Sequence, residues 1–187
     1  MSIRLACALW ASVVFALCAT TSGATTIVHH TPADLAREST LVVQGTVVAV
    51  TPAWNADRTR IFTEIDVAVG ATHKGSTVSS VRVVQLGGVV EPYRMTVSGA
   101  LRWRVGEEVL LFVEPADLDR YRITGFNQGR FDVVRDGSGP AMVQRATLDG
   151  IEWRSSGATR APDDAGAALL VPLQEFLDAT LGEEGGR

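Results

Sequence analysis

With 187 residues, 46% of them hydrophobic, and a formal charge of −4 at pH 7, the chain is long enough for one domain with a substantial core. Its arginines are scattered and Lys74 is its single lysine, so it lacks the clustered basic stripe that binds a phosphate backbone, and no nucleic-acid partner is expected. Both cysteines, Cys7 and Cys18, precede residue 25.

Residues 1–24 have the three parts of a secretory signal: Arg4 as the positive start, an apolar stretch from Leu5 to Ala19, and the small residues Ser22-Gly23-Ala24 as a cleavage site. The apolar stretch is shorter than the roughly 20 residues that a membrane-spanning helix needs. Cleavage after Ala24 is expected, giving an exported protein, periplasmic or secreted, with no membrane attachment. Leu17 stands where a lipidation signal places a small residue before its cysteine, so Cys18 is not expected to be lipidated. The mature chain then has no thiol for a disulfide, a nucleophile or a metal.

His29-His30 opens the mature chain with His73 as the only other histidine. Neighbouring strand residues point to opposite faces, so no metal site is expected, and no cofactor either. Thr31-Pro32-Ala33-Asp34 reads as a helix start, with Thr31 as N-cap, Pro32 in the first turn and Asp34 at the positive end of the helix dipole; Leu35 should face the core. Leu41 to Val50 is a β-rich run interrupted by Gly45, the mark of a bulge. Thr51 to Thr59 reads as a connecting loop in which Trp54 covers a core edge.

Ile61 to Val69 alternates apolar and polar as a half-buried strand does. A turn from Gly70 to Thr77 and a strand from Val78 to Leu86 follow, ended by Gly87-Gly88. Val89 to Arg104 is irregular: Tyr93, Met95 and Val97 suggest a short strand within a flap across a barrel mouth. Val109 to Val113 is continuously apolar, as expected of a strand buried on both faces. Pro115 should end it, a turn leads to a returning strand from Tyr121, and Gly125-Phe126-Asn127-Gln128-Gly129 forms a kink before a strand to Val134. Ala141 to Gln144 should pair as a short hairpin.

The expected organisation is therefore a signal peptide over 1–24, a β-barrel domain over 25–145, a flexible loop over 146–168 and a helix over 169–182. In that helix Leu169, Leu170, Leu173, Phe176, Leu177 and Leu181 recur at helical spacing, Pro172 sits in the first turn and Gly182 at the C-cap. The fold class is mainly β, an OB-like, partly open barrel of about five to seven strands with a short N-terminal and a C-terminal amphipathic helix.

The sequence contains no Gly-x-Ser-x-Gly elbow, phosphate loop, dinucleotide fingerprint or His-Glu-x-x-His. The acidic pairs Glu107-Glu108, Asp163-Asp164 and Glu183-Glu184 are adjacent in sequence and read as solvated charge. Candidate binding residues are Asn127, Gln128 and Arg130 of the kink, with Trp103 and Tyr93 from the flap. Bulges re-aim side chains near sites on barrels, and Gln128 and Arg130 are donors suited to a carboxylate or a peptide backbone. The competing role is a structural bend whose glutamine satisfies local backbone groups.

Lys74-Gly75, Gly87-Gly88, Gly106-Glu107 before Leu110-Leu111-Phe112, then Tyr121, Gly125, Gln128-Gly129 and Phe131 resemble a group of uncharacterised exported bacterial proteins, some beside or fused to matrixin-like metalloprotease domains. The strand order is similar to the OB barrel of netrin-type and metalloprotease-inhibitor modules. Those modules use disulfides and an N-terminal cysteine, which this chain lacks, and it has Trp103-Arg104-Val105 where the group often has phenylalanine. The resulting expectation is a non-enzymatic module that binds a protein or peptide, an exported protease among the partners the resemblance implies. The alternative is a protease inhibitor or accessory, or a hydrolase with an unrecognised site. Nothing in the sequence sets the oligomeric state.

Overall fold

The computed structural model describes residues 29–117, 119–146 and 170–182. The processing site at Ala24 and residues 147–168 of the loop expected over 146–168 lie outside the described residues; Ala146, the first residue of that loop, is buried and donates its N–H to the Arg130 carbonyl at 3.2 Å.

The first element, α1 (Pro32–Glu38), begins as its sequence dictates. Asp34 N–H donates to the Thr31 hydroxyl at 3.1 Å, and Thr31 N–H donates back to the Asp34 carboxylate at 3.1 Å, a reciprocal capping box. Leu35 and Ala36 are its buried residues.

The strands are β1 (Leu41–Trp54), β2 (Ile61–Lys74), β3 (Ser80–Leu86), β4 (Gly88–Val90), β5 (Tyr93–Met95), β6 (Glu108–Asp117), β7 (Arg120–Ile123), β8 (Arg130–Val134), β9 (Met142–Arg145) and β10 (Leu170–Pro172), followed by α2 (Leu173–Leu181). Hydrogen bonding runs β1-β2-β3-β7-β6 and returns from β6 to β1, so five strands close a ring. All its pairings are antiparallel except β3 with β7, which meet in parallel at Val83 and Tyr121. This is the mainly β, OB-like, partly open barrel expected from the strand order.

The barrel curls where β1 is irregular. Three register shifts break the β1–β2 ladder, one of them at Gly45, whose missing Cβ leaves room for the Ala68 carbonyl; an added Cβ would sit 2.3 Å from that oxygen.

β6 ties the molecule together. One edge pairs with β1; the other is shared, with Val109 to Leu111 on β8 and Val113 to Asp117 on β7. Val109, Leu111 and Val113 point into the barrel beside Val43, Ile65, Val67 and Val83. Leu110 and Phe112 point out into a second core made with Leu35, Val42, Phe131, Phe176 and Leu177. The two helices and the β8-β9-β10 extension therefore cover the outside of the barrel wall, and Val109 to Val113 is buried on both faces.

Several boundaries differ from the sequence reading. β1 runs on to Trp54 and β2 to Lys74, because two long antiparallel strands satisfy each other's backbone where isolated propensity favours a loop. β6 continues past Pro115 to Asp117 by a shift in register. The C-terminal helix starts at Leu173 instead of residue 169, since Leu170 to Pro172 pair with β9 as a strand.

Phe112 meets Phe131 and Phe176 with ring centroids 5.7 and 6.3 Å apart. Phe112→Ala should cost about 3–5 kcal/mol in urea unfolding, because the barrel wall and both helices hold the cavity open. The Thr31 hydroxyl, then Arg37, hold the Asp34 carboxyl down to about 2. A depressed carboxylate stabilises the fold above its unfolded range and loses that effect as pH falls through its folded value. The Tm advantage of wild type over Asp34→Asn should therefore be complete at neutral pH and vanish as pH falls from about 4 to about 2.

Candidate functional site

β7 and β8 lie in line along β6, separated by residues 124–129, and Phe112 stands opposite this excursion. Phe112 N–H donates to the Gly129 carbonyl at 2.8 Å, while the Phe112 carbonyl accepts from Thr124 N–H at 3.0 Å. Gly129 N–H to the Thr124 carbonyl, 3.1 Å, closes the neck. The kink is thus a six-residue blister on one strand, at the place where that strand leaves the barrel wall to join the outer sheet. Gly129 is required here, since an added Cβ would lie 2.8 Å from the Phe112 carbonyl oxygen.

Within the blister, Gly125, Phe126 and Asn127 have φ of 66°, 54° and 70°, three left-handed residues in succession. L-residues pay about 1–2 kcal/mol each for this conformation, and a phenylalanine is unusual in it. The turn is held by its neighbours. Asn127 Nδ2 donates to the Gly99 carbonyl at 2.8 Å. His30 N–H donates to Gln128 Oε1 at 3.0 Å, and the His30 ring packs over Gly125. Gln128 is 1% exposed.

Arg130 is the most heavily used side chain of the region. It is 3% exposed; Nη2 reaches Asp132 at 2.7 Å and Glu107 at 2.9 Å, Nη1 donates to the Arg102 carbonyl, and the guanidinium lies 4.2 Å from the Trp103 ring centre. Trp103 Nε1 in turn donates to Gln85 Oε1 at 3.2 Å. Gln85 also brackets Leu101, accepting from its N–H and donating to its carbonyl, both at 3.0 Å. These contacts seat residues 99–104 against the barrel end, with Leu101 inserted into the interior core.

Of the residues expected to bind, Asn127, Gln128, Arg130 and Trp103 therefore come together, but their polar groups are turned on the protein itself. The flap divides. Residues 99–104 are stitched down, whereas β4 and β5 form a separate two-stranded sheet on which Tyr93 is 58% exposed, edge-to-face with Trp54 at 5.4 Å. Tyr93 is not part of the Arg130 cluster.

Sequence reasoning missed four features. Phe126 is 52% exposed at the crest of the blister, and its only sequence signal is an aromatic inside a Gly-flanked turn. His30 Nδ1 lies 3.3 Å from Glu38, a pair created by the return of α1 over the blister. Burial, then Arg145, lowers the pKa of the neighbouring His29, and burial lowers that of His73. An apolar groove of about 320 Å³ runs between α1 and α2, lined by Thr31, Pro32, Ala33, Val171, Phe176 and Ala179 among others.

The outer face of β2, β3, β6 and β7 carries a charge ladder. Arg82 bonds Asp66 at 2.7 Å, Arg120 bridges Glu64 and Asp117, and Arg122 bonds Glu114 at 2.8 Å. Hydrogen bonds to Asp117 and Glu64 raise the Arg120 pKa further. Among the described residues no group of three or more metal-ligating side chains forms, and no helix is long and apolar enough to cross a membrane.

Fold and site together define an OB-like barrel with one mouth sealed by its own arginine-centred network. No protein-family model matches the chain. No curated protein matches it at a significant level.

Removal of the guanidinium should loosen the seal. Arg130→Ala should cost about 2–4 kcal/mol in chemical denaturation and speed tryptic cleavage at Arg102 and Arg104. Arg130→Lys should restore only part of this, since one ammonium cannot serve the two carboxylates, the carbonyl and the indole face together.

Proposed function

We propose that this chain is an exported, non-enzymatic binding module that engages a protein or peptide through the blister at residues 124–129. The observation that carries the reading is Phe126. An apolar side chain is held in a left-handed backbone conformation and half exposed, while the residues around it spend their hydrogen bonds fastening the turn. Folding gains little from this arrangement, and strain of this kind concentrates where a surface is preorganised for a partner. Aromatic anchors on rigid supports are the usual centres of such contacts.

On this reading Asn127, Gln128, Arg130 and Trp103 are positioning residues: they fix the crest and present no donors of their own. The expected ligand is a protein surface or peptide with an apolar pocket, an exported protease being the partner suggested by the resemblance noted above. Export rests on the signal at residues 1–24, and a mature N-terminus at Thr25 would establish it.

Phe126→Gly separates binding from stability. It relieves the backbone conformation, so the Tm should stay the same or rise, by the equivalent of about 1 kcal/mol. Capture of a specific partner from the native envelope or culture fraction should be lost. Equal capture by wild type and variant, or no capture above a bead control, would sink the proposal.

A further inference from the structure

The end of the barrel where β1 turns into β2 carries a second surface. Its arginines differ from the rest. Arg37, Arg82, Arg104, Arg120, Arg122, Arg130 and Arg135 each pair with a carboxylate, and Arg102 and Arg145 also have partners. Arg58, Arg60 and Arg94 form no ion pair among the described residues, and all three are exposed. Arg58 and Arg60 sit on the 55–60 turn and Arg94 on β5; Trp54, the last residue of β1 before that turn, meets Tyr93 of β5 edge-to-face.

The turn is built to hold its shape. Asn55 Oδ1 accepts from Thr59 N–H and Arg60 N–H, both at 2.9 Å, and Arg58 N–H donates to the Asn55 carbonyl at 3.0 Å. Arg58 has φ of 56°, a position where glycine or asparagine would be more stable. The Asp57 carboxylate is taken up by the Thr59 hydroxyl at 2.6 Å, and that bond lowers its pKa. Glu91, in the β4–β5 turn, is the other acid on these segments. A strained arginine with no counter-charge contributes nothing evident to folding.

Beside it, β5 pairs only with β4, so its outer edge presents free backbone groups among the described residues. A free edge on a strand that itself carries the unpaired Arg94, joined by a ring contact to the turn that carries Arg58 and Arg60, suits an extended chain that adds as a strand and places carboxylates against the arginines. A glycan would leave the strand edge unused. We propose that this arm, with Arg58, Arg60, Arg94 and Tyr93, binds an extended acidic peptide segment by strand addition to β5.

The test uses the full chain and a fluorescein-labelled peptide alternating glutamate with threonine, read by anisotropy at low salt. The peptide should bind saturably and weaken as salt rises. Affinity should fall about tenfold in Arg58→Gln/Arg60→Gln/Arg94→Gln. It should be unchanged in Arg82→Gln/Arg122→Gln, and weaker for a peptide N-methylated at alternate amides. Arg58→Gly, which relieves the turn, should fold at least as well as wild type and still lose affinity. Phe126→Gly should bind this peptide normally, which keeps the test independent of the blister. The proposal falls if no saturable binding is seen, if the lysine counterpart of the peptide binds equally, or if the triple variant keeps its affinity. It also falls if the Arg82/Arg122 control loses as much, if N-methylation has no effect, or if a sulfated oligosaccharide binds where the peptide does not.

Discussion

The structure depends on one constraint, the burial of both faces of β6. Val109, Leu111 and Val113 fill the barrel while Leu110 and Phe112 anchor the helices and the outer sheet. A strand in that position must satisfy both backbone edges inside protein, since water reaches neither face. β1 serves one edge, and β7 and β8 share the other. The shared edge creates the blister: a strand that pairs in the barrel up to Ile123 and in the outer sheet from Arg130 needs slack between, and residues 124–129 supply it opposite Phe112.

That slack would be a weak point without the arginine network. Arg130 begins β8, and its guanidinium gathers Glu107, Asp132, the Arg102 carbonyl and the Trp103 ring. A buried charge is costly unless it is fully partnered, and a planar guanidinium with several fixed donors is the side chain able to hold so many groups at once. The same contacts close the barrel mouth, so the stability of the blister and the seal are one property. The polar residues most suggestive of ligand binding in the sequence are the ones spent on this task.

What remains at the surface is therefore informative. Phe126 and Arg58 are both bulky residues in left-handed backbone, both exposed, and both on turns fastened by side chains of other residues. They lie on different parts of the barrel and differ in chemistry, one apolar and one cationic. The charge ladder across β2, β3, β6 and β7, by contrast, has every arginine paired within it and offers a ligand little. The molecule thus separates a paired, self-satisfied sheet face from two displayed loop ends.

Much of the fold was legible because it rests on local signals. Clean alternation from Ile61 to Val69, the unbroken apolar run from Val109 to Val113, the Thr31–Asp34 cap and the glycine within β1 each act over a few residues. Strand ends were less legible, as at Trp54 and Asp117, because pairing with a distant partner extends a strand beyond its own propensity. The site residues Asn127, Gln128, Arg130 and Trp103 were singled out with two roles open for the kink, ligand binding or a structural bend whose glutamine satisfies backbone groups, and sequence pattern alone could not choose between them. Whether a polar side chain meets solvent or a partner depends on what packs over it, here His30, Gly99, Arg102 and Glu107 from other parts of the chain. The sequence by itself determined the periodicities, caps and turns, and with them a mainly β barrel. Only the tertiary structure decided that Arg130 is buried while Phe126 and Arg58 are displayed, since burial is set by contacts between segments far apart in the chain.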